Sequence, residues 1–300
     1  TSAAAALPLA LLLVATRVAG QQPHHAGHSS RQLQSGTDDS SGPCIDRSTF
    51  MLVDFSTASL VRSNLGGQGG RCDTAAGGCT EIRDASTPDE IYYSHVGVSS
   101  NGLVVDLRVT NTSEYRAWRS VRNGISSSSF GVINLLGPRL PGQSGQWSSH
   151  FTFVALQFTF MSSGAPLQIA RTFVTIYDFD TGSPQFDGSR TQVECAQIRS
   201  ANSLHTGTIS EVVQSDESSF LSSLPSGSMR SSWTPWGQSV YCGTTYGIGA
   251  DNPTSAQSLT AQQAARSLLI ELLDSTGFEM RFAITDCCTT GRNILFGGYS

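Results

Sequence analysis

Acidic residues are concentrated in the stretch TFVTIYDFDTGSPQFDGSR, which spans residues 172–190. Asp178 and Asp180 stand two positions apart at the end of an apolar run, and alternate residues of a strand point to the same face. Their carboxylates would converge if the strand continued through Asp180. Calcium binds clusters of hard oxygen ligands, and Asp187 or Glu194 could complete such a set. The sequence thus predicts a calcium site of Asp178, Asp180, Asp187 and Glu194, with a structural ion that ties a strand end to a loop.

A plain turn is the alternative interpretation of this stretch, because Asp and Gly are common in turns, where Asp hydrogen-bonds to nearby backbone. The stretch does not match an EF-hand loop, since its sixth position is not glycine and Ser189 stands where a bidentate Glu is required. Glycoside hydrolysis would need two facing carboxyl groups about 5 to 10 Å apart, and no such pair stands out. The sequence also contains neither G-x-S-x-G nor H-E-x-x-H. No catalytic residue is therefore predicted.

Aromatic residues gather in a second candidate site, SSWTPWGQSVYCGTTYG. Trp233, Trp236 and Tyr241 could pack against the apolar faces of sugar rings, and Asp251 and Asn252 follow closely as partners for the hydroxyl groups. The sequence predicts a glycan-binding loop formed by these five residues. In the alternative interpretation, the tryptophans only cover the edge of the fold.

Bulk composition excludes several classes of function. All 18 basic residues among the 300 are arginine, so lysine chemistry such as Schiff-base catalysis is excluded. The net charge of -5 and the scattered arginines lack the basic patch of a nucleic-acid-binding protein.

The first residues indicate export. An apolar run from Ala3 to Ala15 predicts a signal peptide over residues 1–20, with cleavage after Gly20. A membrane anchor is the alternative, but the run is shorter than the roughly 20 residues that span a bilayer. Residues 21–43 are polar and without periodicity, which predicts a disordered linker. We expect a chain that does not span the membrane once processed.

Seven cysteines follow the predicted export signal, which favours disulfide bonds with one cysteine left over. Cys72 and Cys79 are close enough to staple the loop between them, whereas the adjacent Cys287 and Cys288 are expected to reach different partners. A zinc site is disfavoured because no C-x-x-C pair occurs. Asn111 heads an N-glycosylation acceptor, NTS.

Strands with a period of two dominate residues 44–300. GLVVDLRVTN, HFTFVALQFTFM and RTFVTIYDF carry alternating or dense apolar residues, and GFEMRFAIT predicts a half-buried strand with its polar face toward water. One short helical turn is predicted at residues 258–266, with Ser258 or Thr260 as its cap. Together these patterns predict an all-β, antiparallel β-sandwich of the jelly-roll kind in a single domain.

Six blocks occur in a distinctive order, namely VDFSTASLVRSNLGGQGG, HVGVSSNGLVVDLRVTN, NGISSSSFGVINL, FVTIYDFDTG, GADNPTSAQSLTAQQAARS and GFEMRFAITDCCTTGRNILFGGYS. They resemble the predicted secreted β-rich proteins of unicellular algae and marine protists, a family with no established activity. The likeness covers most of Asp54 to Tyr299 and consists of glycines, asparagines and strand residues. The resemblance implies export and a single domain, and it transfers no active site.

These observations favour a secreted or cell-surface, non-catalytic β-sandwich protein. Its expected partner is a glycan or another polymer of the extracellular matrix, and nucleic acid is not expected. The alternative is a secreted carbohydrate-active hydrolase or lyase, which rests on the predicted compartment alone.

Overall fold

The computed structural model describes residues 50–69, 71–73, 80–82, 87–127, 129–138, 151–182, 192–206, 210–224, 232–247, 249–285 and 291–298. All of them belong to one compact unit, Ile45–Ser300. The predicted signal peptide and linker, Asp187, and the cysteines at positions 44, 79, 287 and 288 lie outside the described residues.

Two large sheets contain most of the described strands. In the first sheet the order is β13 (Ser203–Thr206), β16 (Leu268–Ser275), β11 (Ile169–Tyr177), β18 (Arg292–Gly297), β8 (Phe130–Leu135) and β7 (Gly124–Ser126). The short β1 (Met51–Leu52) joins β11 in parallel, whereas the other pairs in this sheet are antiparallel.

The second sheet is antiparallel throughout. Its order is β14 (Val212–Ser215), β15 (Val240–Gly243), β12 (Val193–Arg199), β17 (Gly277–Thr285), β9 (Phe151–Ser162), β6 (Val104–Asn111), β5 (Glu90–Val98) and β2 (Ser59–Ser63), with β10 (Ala165–Pro166) paired to β9. A separate hairpin joins β3 (Arg71–Asp73) to β4 (Thr80–Ile82). The disulfide Cys195–Cys242 links directly opposite residues of β12 and β15, in line with the predicted disulfide framework.

The core lies between the two sheets. Alternate residues of the described strands point into it, as with Val105, Leu107 and Val109 of β6. Phe158 of one sheet meets Phe296 of the other edge to face, with ring centroids 5.2 Å apart. From β8 to β18 the chain passes repeatedly from one sheet to the other. The predicted antiparallel β-sandwich is therefore confirmed.

The outer face of the second sheet is covered at one end, which corrects one expectation. The polar face of strand β17 was expected to be exposed to water, but Arg281 and Ala283 on that face are buried. Helix α1 (Glu217–Ser223) and Trp233 cover this end of the sheet, and Trp233 lies 5.0 Å from Phe153 between ring centroids. The prediction failed because the covering segment is distant in sequence.

Helix α2 (Ala261–Ala265) confirms the predicted helical turn. Thr260 is its N-cap, and the Thr260 and Gln263 side chains each accept a hydrogen bond from the other residue's backbone, a capping box. No described helix has both the length and the hydrophobicity that a membrane-spanning helix needs.

The predicted glycosylation acceptor Asn111 ends β6 and is half-buried. Its Nδ2 donates to the Ser113 carbonyl at 2.8 Å, and its Oδ1 accepts from the Gly66 backbone at 3.1 Å. Glycosylation of Asn111 stays a prediction.

Candidate functional site

Strand β11 ends at Tyr177, before the two aspartates that follow it. Asp178 adopts a left-handed backbone conformation with φ of 67°, which Asp tolerates better than most residues. The side chain of Phe179 is fully buried in the core, and its backbone N–H donates to the Arg266 carbonyl at 3.0 Å. The strand thus ends before Asp178, so the condition for convergence by strand alternation is not met, and the left-handed conformation of Asp178 instead sets the course of the chain between the two carboxylates.

Asp180 is 1% exposed and lies where three segments meet. Its carbonyl accepts from the Glu194 backbone at 3.2 Å, and the next residue, Thr181, bridges to Val193 and Tyr246. Arg292 brings Nη1 to 3.3 Å from Asp180 Oδ1. That contact lacks hydrogen-bond geometry, so within the part of the chain that the structure describes Oδ1 is a buried acceptor without a hydrogen-bond donor.

Glu194 lies on the far side of the same guanidinium group. Its carboxylate is buried, and its Oε1 is 3.2 Å from Arg292 Nε. Arg292 Nε also donates to Gln192 Oε1 at 3.0 Å. Glu194 therefore neighbours the predicted metal ligands through Arg292 and does not join their cluster.

Asp251 joins Asp178 and Asp180 in the cluster, whereas the predicted ligand Asp187 lies outside the described residues. One carboxylate oxygen from each of Asp178, Asp180 and Asp251 lies within 4.8 Å of the other two. Asp251 was predicted to belong to the glycan-binding loop and not to the metal site. The structure thus joins one residue of the second candidate site to two residues of the first.

Arg266 fixes Asp251 in this position. The Arg266 side chain is 4% exposed, and its Nη1 donates to Asp251 Oδ2 at 2.8 Å while its Nε donates to Glu211 Oε2 at 2.7 Å. Its Nη2 donates to the Tyr246 carbonyl at 2.9 Å. Gln263 Nε2 donates to the Asp251 carbonyl at 2.9 Å, so helix α2 and the residue after it hold this loop from two sides.

Electrostatics in the cluster are unfavourable to ionised carboxylates. Burial raises the pKa of Asp178 to about 7, and the negative charges of Asp180 and Asp251 add to this shift. Burial also raises the pKa of Asp180 to about 6, although Arg292 opposes the change. Burial, with the charge of Asp180, raises the pKa of Glu194.

A pocket opens directly over the cluster. It measures about 270 Å³ and is lined by Asp178 and Asp251 together with polar side chains of α2 and its cap. These polar residues are Thr260, Gln262 and Gln263. Two of the three clustered carboxylates, those of Asp178 and Asp251, thus face an open site that hydroxyl and amide groups and Arg266 also line.

The aromatic residues of the predicted glycan-binding loop are used in packing. Trp233 and Tyr241 are 4% and 6% exposed, so neither presents a free face to a ligand. Trp236 is half-buried, and the Arg281 guanidinium lies 3.8 Å from its ring centroid, with Arg199 at 4.8 Å. Glu217 accepts hydrogen bonds from Trp233 Nε1 and from the Trp236 backbone. These contacts match the alternative interpretation, in which the tryptophans cover an edge.

Asp251 and Asn252 point to different places. Asp251 joins the carboxylate cluster, whereas Asn252 lines a neighbouring pocket of about 490 Å³.

Arg266, Arg292 and Glu211 were not predicted as parts of the site. An arginine directly after a short capped helix and before an apolar strand is the signal that could have revealed Arg266.

No family model matches the chain, and no curated protein matches it. Three solved structures are similar at low identity. The N-terminal domain of the Streptococcus gordonii adhesin Sgo0707 is 11% identical over 83% of this chain, with a TM-score of 0.40, and the likeness spans 63% of that domain. The glucan-binding protein C of Streptococcus mutans is 10% identical over 84% of this chain and 77% of its own, with a TM-score of 0.42. The adhesin domain of PrgB from Enterococcus faecalis is 9% identical over 84% of this chain and 81% of its own, with a TM-score of 0.35. At these TM-scores the likenesses carry no argument about what this chain binds.

Proposed function

We propose that this chain is a non-catalytic binding protein of the cell exterior, in which calcium held by Asp178, Asp180 and Asp251 binds the hydroxyl groups of a carbohydrate. One observation carries the proposal. Carboxylate oxygens from two separate loops lie within 4.8 Å of one another, Asp178 and Asp251 line an open pocket, and Asp180 Oδ1 is buried without a hydrogen-bond donor among the described residues.

The charge balance of the site favours a cation. Asp178, Asp180, Asp251, Glu194 and Glu211 are five carboxyl groups, and the described guanidinium groups in contact with them are those of Arg266 and Arg292. Two positive charges therefore face up to five negative ones. Burial is the main cause of the raised pKa values of Asp178 and Asp180, and a bound divalent cation would relieve the repulsion between carboxylates that adds to it.

Calcium suits these ligands better than a softer metal. It prefers carboxylate and carbonyl oxygens, takes six to eight of them and tolerates irregular geometry. Three aspartates leave several coordination positions open toward the pocket. Paired hydroxyl groups of a sugar can occupy such positions, and Thr260, Gln262 and Gln263 offer hydrogen bonds to the remaining hydroxyls.

Export is supported by two features of the chain. The disulfide Cys195–Cys242 is of the kind that persists in oxidising compartments. The apolar N-terminal run predicts a signal peptide. A cell-surface or matrix location would bring the calcium site into contact with extracellular glycans.

A secreted carbohydrate-active hydrolase is the second candidate, because a pKa of about 7 at Asp178 would suit a general acid. The arrangement argues against it. Three carboxylates converge here, each with one oxygen within 4.8 Å of the other two, whereas a glycosidase uses a pair of carboxyl groups that flank the scissile bond. A shared ion accounts for such close carboxylates more directly.

Calorimetric titration of calcium into the purified chain, followed by a glycan array with calcium or with EDTA, tests the proposal. We expect saturable calcium binding that Asp178→Asn and Asp251→Asn each weaken by at least tenfold, and array signals that disappear in EDTA. Glu114→Gln is the matched control, since its carboxylate is exposed and does not belong to the cluster. Absence of calcium binding would refute the proposal, and glycan hydrolysis that is lost in Asp178→Asn would favour the second candidate.

A further inference from the structure

A second pocket lies against the first, and one loop separates them. Ala250 and Pro253 line both pockets, so the loop of residues 249–254 forms a shared wall. Asp251 of this loop lines the first pocket, the one that Asp178 also lines, and Asn252 lines the second pocket. The second pocket measures about 490 Å³, within the range of about 300 to 1,000 Å³ that is usual for small-molecule sites.

The chemistry of the second pocket is opposite to that of the first. Arg122, Ser126, Ser127 and Asn293 contribute its polar lining, so it offers hydrogen-bond donors and one positive charge. No carboxylate contributes to its described lining. A negatively charged group would therefore be attracted to the second pocket. In the first pocket the aspartates would repel it when no cation is bound.

Arg122 has the features of an anion-binding side chain. It is exposed, and its guanidinium group lies 4.8 Å from the centroid of the Trp118 ring, on which Arg119 also stacks at 4.6 Å. Stacking restrains the guanidinium plane while its N–H groups remain available. Among the residues that the structure describes, no acidic side chain forms an ion pair with Arg122 or Arg119. Two other arginines lie at the neighbouring site, and both are already paired. Arg266 pairs with Glu211 and Asp251, and Arg292 pairs with Asp180 and Glu194.

We infer that the second pocket binds an anionic substituent, a carboxylate or a sulfate, on the same glycan whose hydroxyl groups bind the calcium. The inference rests on the proposed function and narrows its ligand to an acidic oligosaccharide of at least two units that lies across the 249–254 loop. Arginine binds carboxylate and sulfate oxygens through paired N–H donors, and Ser126, Ser127 and Asn293 can satisfy the remaining oxygens. Because the chain as a whole carries a net charge of -5, an anionic ligand requires such a local positive site.

Binding of three oligosaccharides of equal length, one neutral, one built of uronic acids and one sulfated, tests this inference on the full chain in the presence of calcium. We expect the chain to prefer an anionic oligosaccharide over the neutral one by about 10- to 100-fold, the value of one or two charge-assisted hydrogen bonds. The Arg122→Gln variant should lose this preference and keep its affinity for calcium and for the neutral oligosaccharide. The uronate and sulfate arms identify which anion the pocket accepts.

Arg116→Gln is the control variant, because Arg116 is a nearby surface arginine that pairs with Glu114 at 2.9 Å. The inference is overturned if Arg122→Gln binds all three oligosaccharides as the unmodified chain does, if the neutral one binds as tightly as the anionic ones, or if none binds. The proposed function fails separately. If the chain does not bind calcium but still prefers the anionic oligosaccharides, and Arg122→Gln abolishes that preference, the calcium site is refuted and the anion site is supported.

Discussion

The backbone of Gly247 packs directly against the carboxylate of Asp180, and a Cβ atom at position 247 would lie 2.0 Å from Asp180 Oδ2. The Gly247 N–H donates to the Thr181 carbonyl at 3.0 Å, so the two segments run side by side through the site. A side chain at position 247 cannot coexist with the observed position of Asp180. The carboxylate cluster therefore depends on a glycine more than 60 residues away.

The Gly247→Ala variant should be less stable and should bind calcium more weakly. We expect a loss of about 1 to 3 kcal/mol in the free energy of unfolding, because an inserted methyl group must displace Asp180 or the backbone beside it. Chemical denaturation and calcium titration measure the two effects. Gly249→Ala is the control, since a Cβ at that position meets no atom within 4 Å. Equal stability of the two variants would contradict the packing argument.

Calcium should stabilise the chain more at pH 8 than at pH 5. Asp178 and Asp180 have folded pKa values of about 7 and 6, raised mainly by burial, so without metal the folded state holds protons that the unfolded state releases near pH 4. The stability of the metal-free chain should therefore fall as the pH rises from about 4 to about 7. Calcium requires the ionised carboxylates, so its stabilising effect should grow over the same interval.

Thermal melts with calcium or EDTA at half-unit steps from pH 4.5 to 8 measure this effect. Carboxyl groups with lowered pKa values, such as Glu211, titrate below this window and do not mask it. In the Asp178→Asn variant, the stabilisation by calcium should increase less as the pH rises. A calcium effect of equal size at pH 5 and pH 8 would be inconsistent with binding at these carboxylates.

Trp236→Ala separates the two candidate binding sites. Because the Trp236 ring is already covered by Arg281 at 3.8 Å, we expect a loss of about 0.5 to 2 kcal/mol in stability and unchanged glycan binding. A glycan array and a denaturation curve of the same preparation measure both. If Trp236→Ala abolished the array signals while Asp251→Asn kept them, the glycan would bind at the aromatic segment and not at the aspartates.

Local patterns were sufficient to predict the strands and the helical cap. Val105, Leu107 and Val109 alternate because one face of β6 packs into the core, and Thr260 caps α2 through atoms only three residues away. The burial of Arg281 could not be predicted in this way. It depends on α1 and Trp233, which cover β17 from a segment some 50 residues earlier.

The candidate metal site was predicted only in part, for a similar reason. Asp178 and Asp180 are two positions apart in the sequence, so their proximity was visible, although both lie beyond the end of β11. Asp251 joins them across 70 residues because Arg266 and Gln263 hold its loop, and these two contacts join residues 15 and 12 positions apart, which no short sequence pattern pairs. Glu194 was selected for its charge, but Arg292 lies between it and the cluster.

Arg266 should be the most sensitive arginine near the site. Its side chain is 4% exposed and bonds to Glu211, Asp251 and the Tyr246 carbonyl, so Arg266→Ala would leave partly buried carboxylates without their partner. We expect a loss of about 3 kcal/mol in the free energy of unfolding. Calcium affinity should also fall, because Asp251 would no longer be held beside Asp178.

Arg171→Ala provides the matched comparison. Arg171 also pairs with a glutamate at 2.9 Å, but its side chain is 41% exposed, so its loss should cost at most about 1 kcal/mol. Urea denaturation of both variants, with and without calcium, measures the difference. If the two variants lost equal stability, burial of Arg266 would not be what fixes the 249–254 loop. If Arg266→Ala kept full calcium affinity, Asp251 would reach the cluster without this anchor.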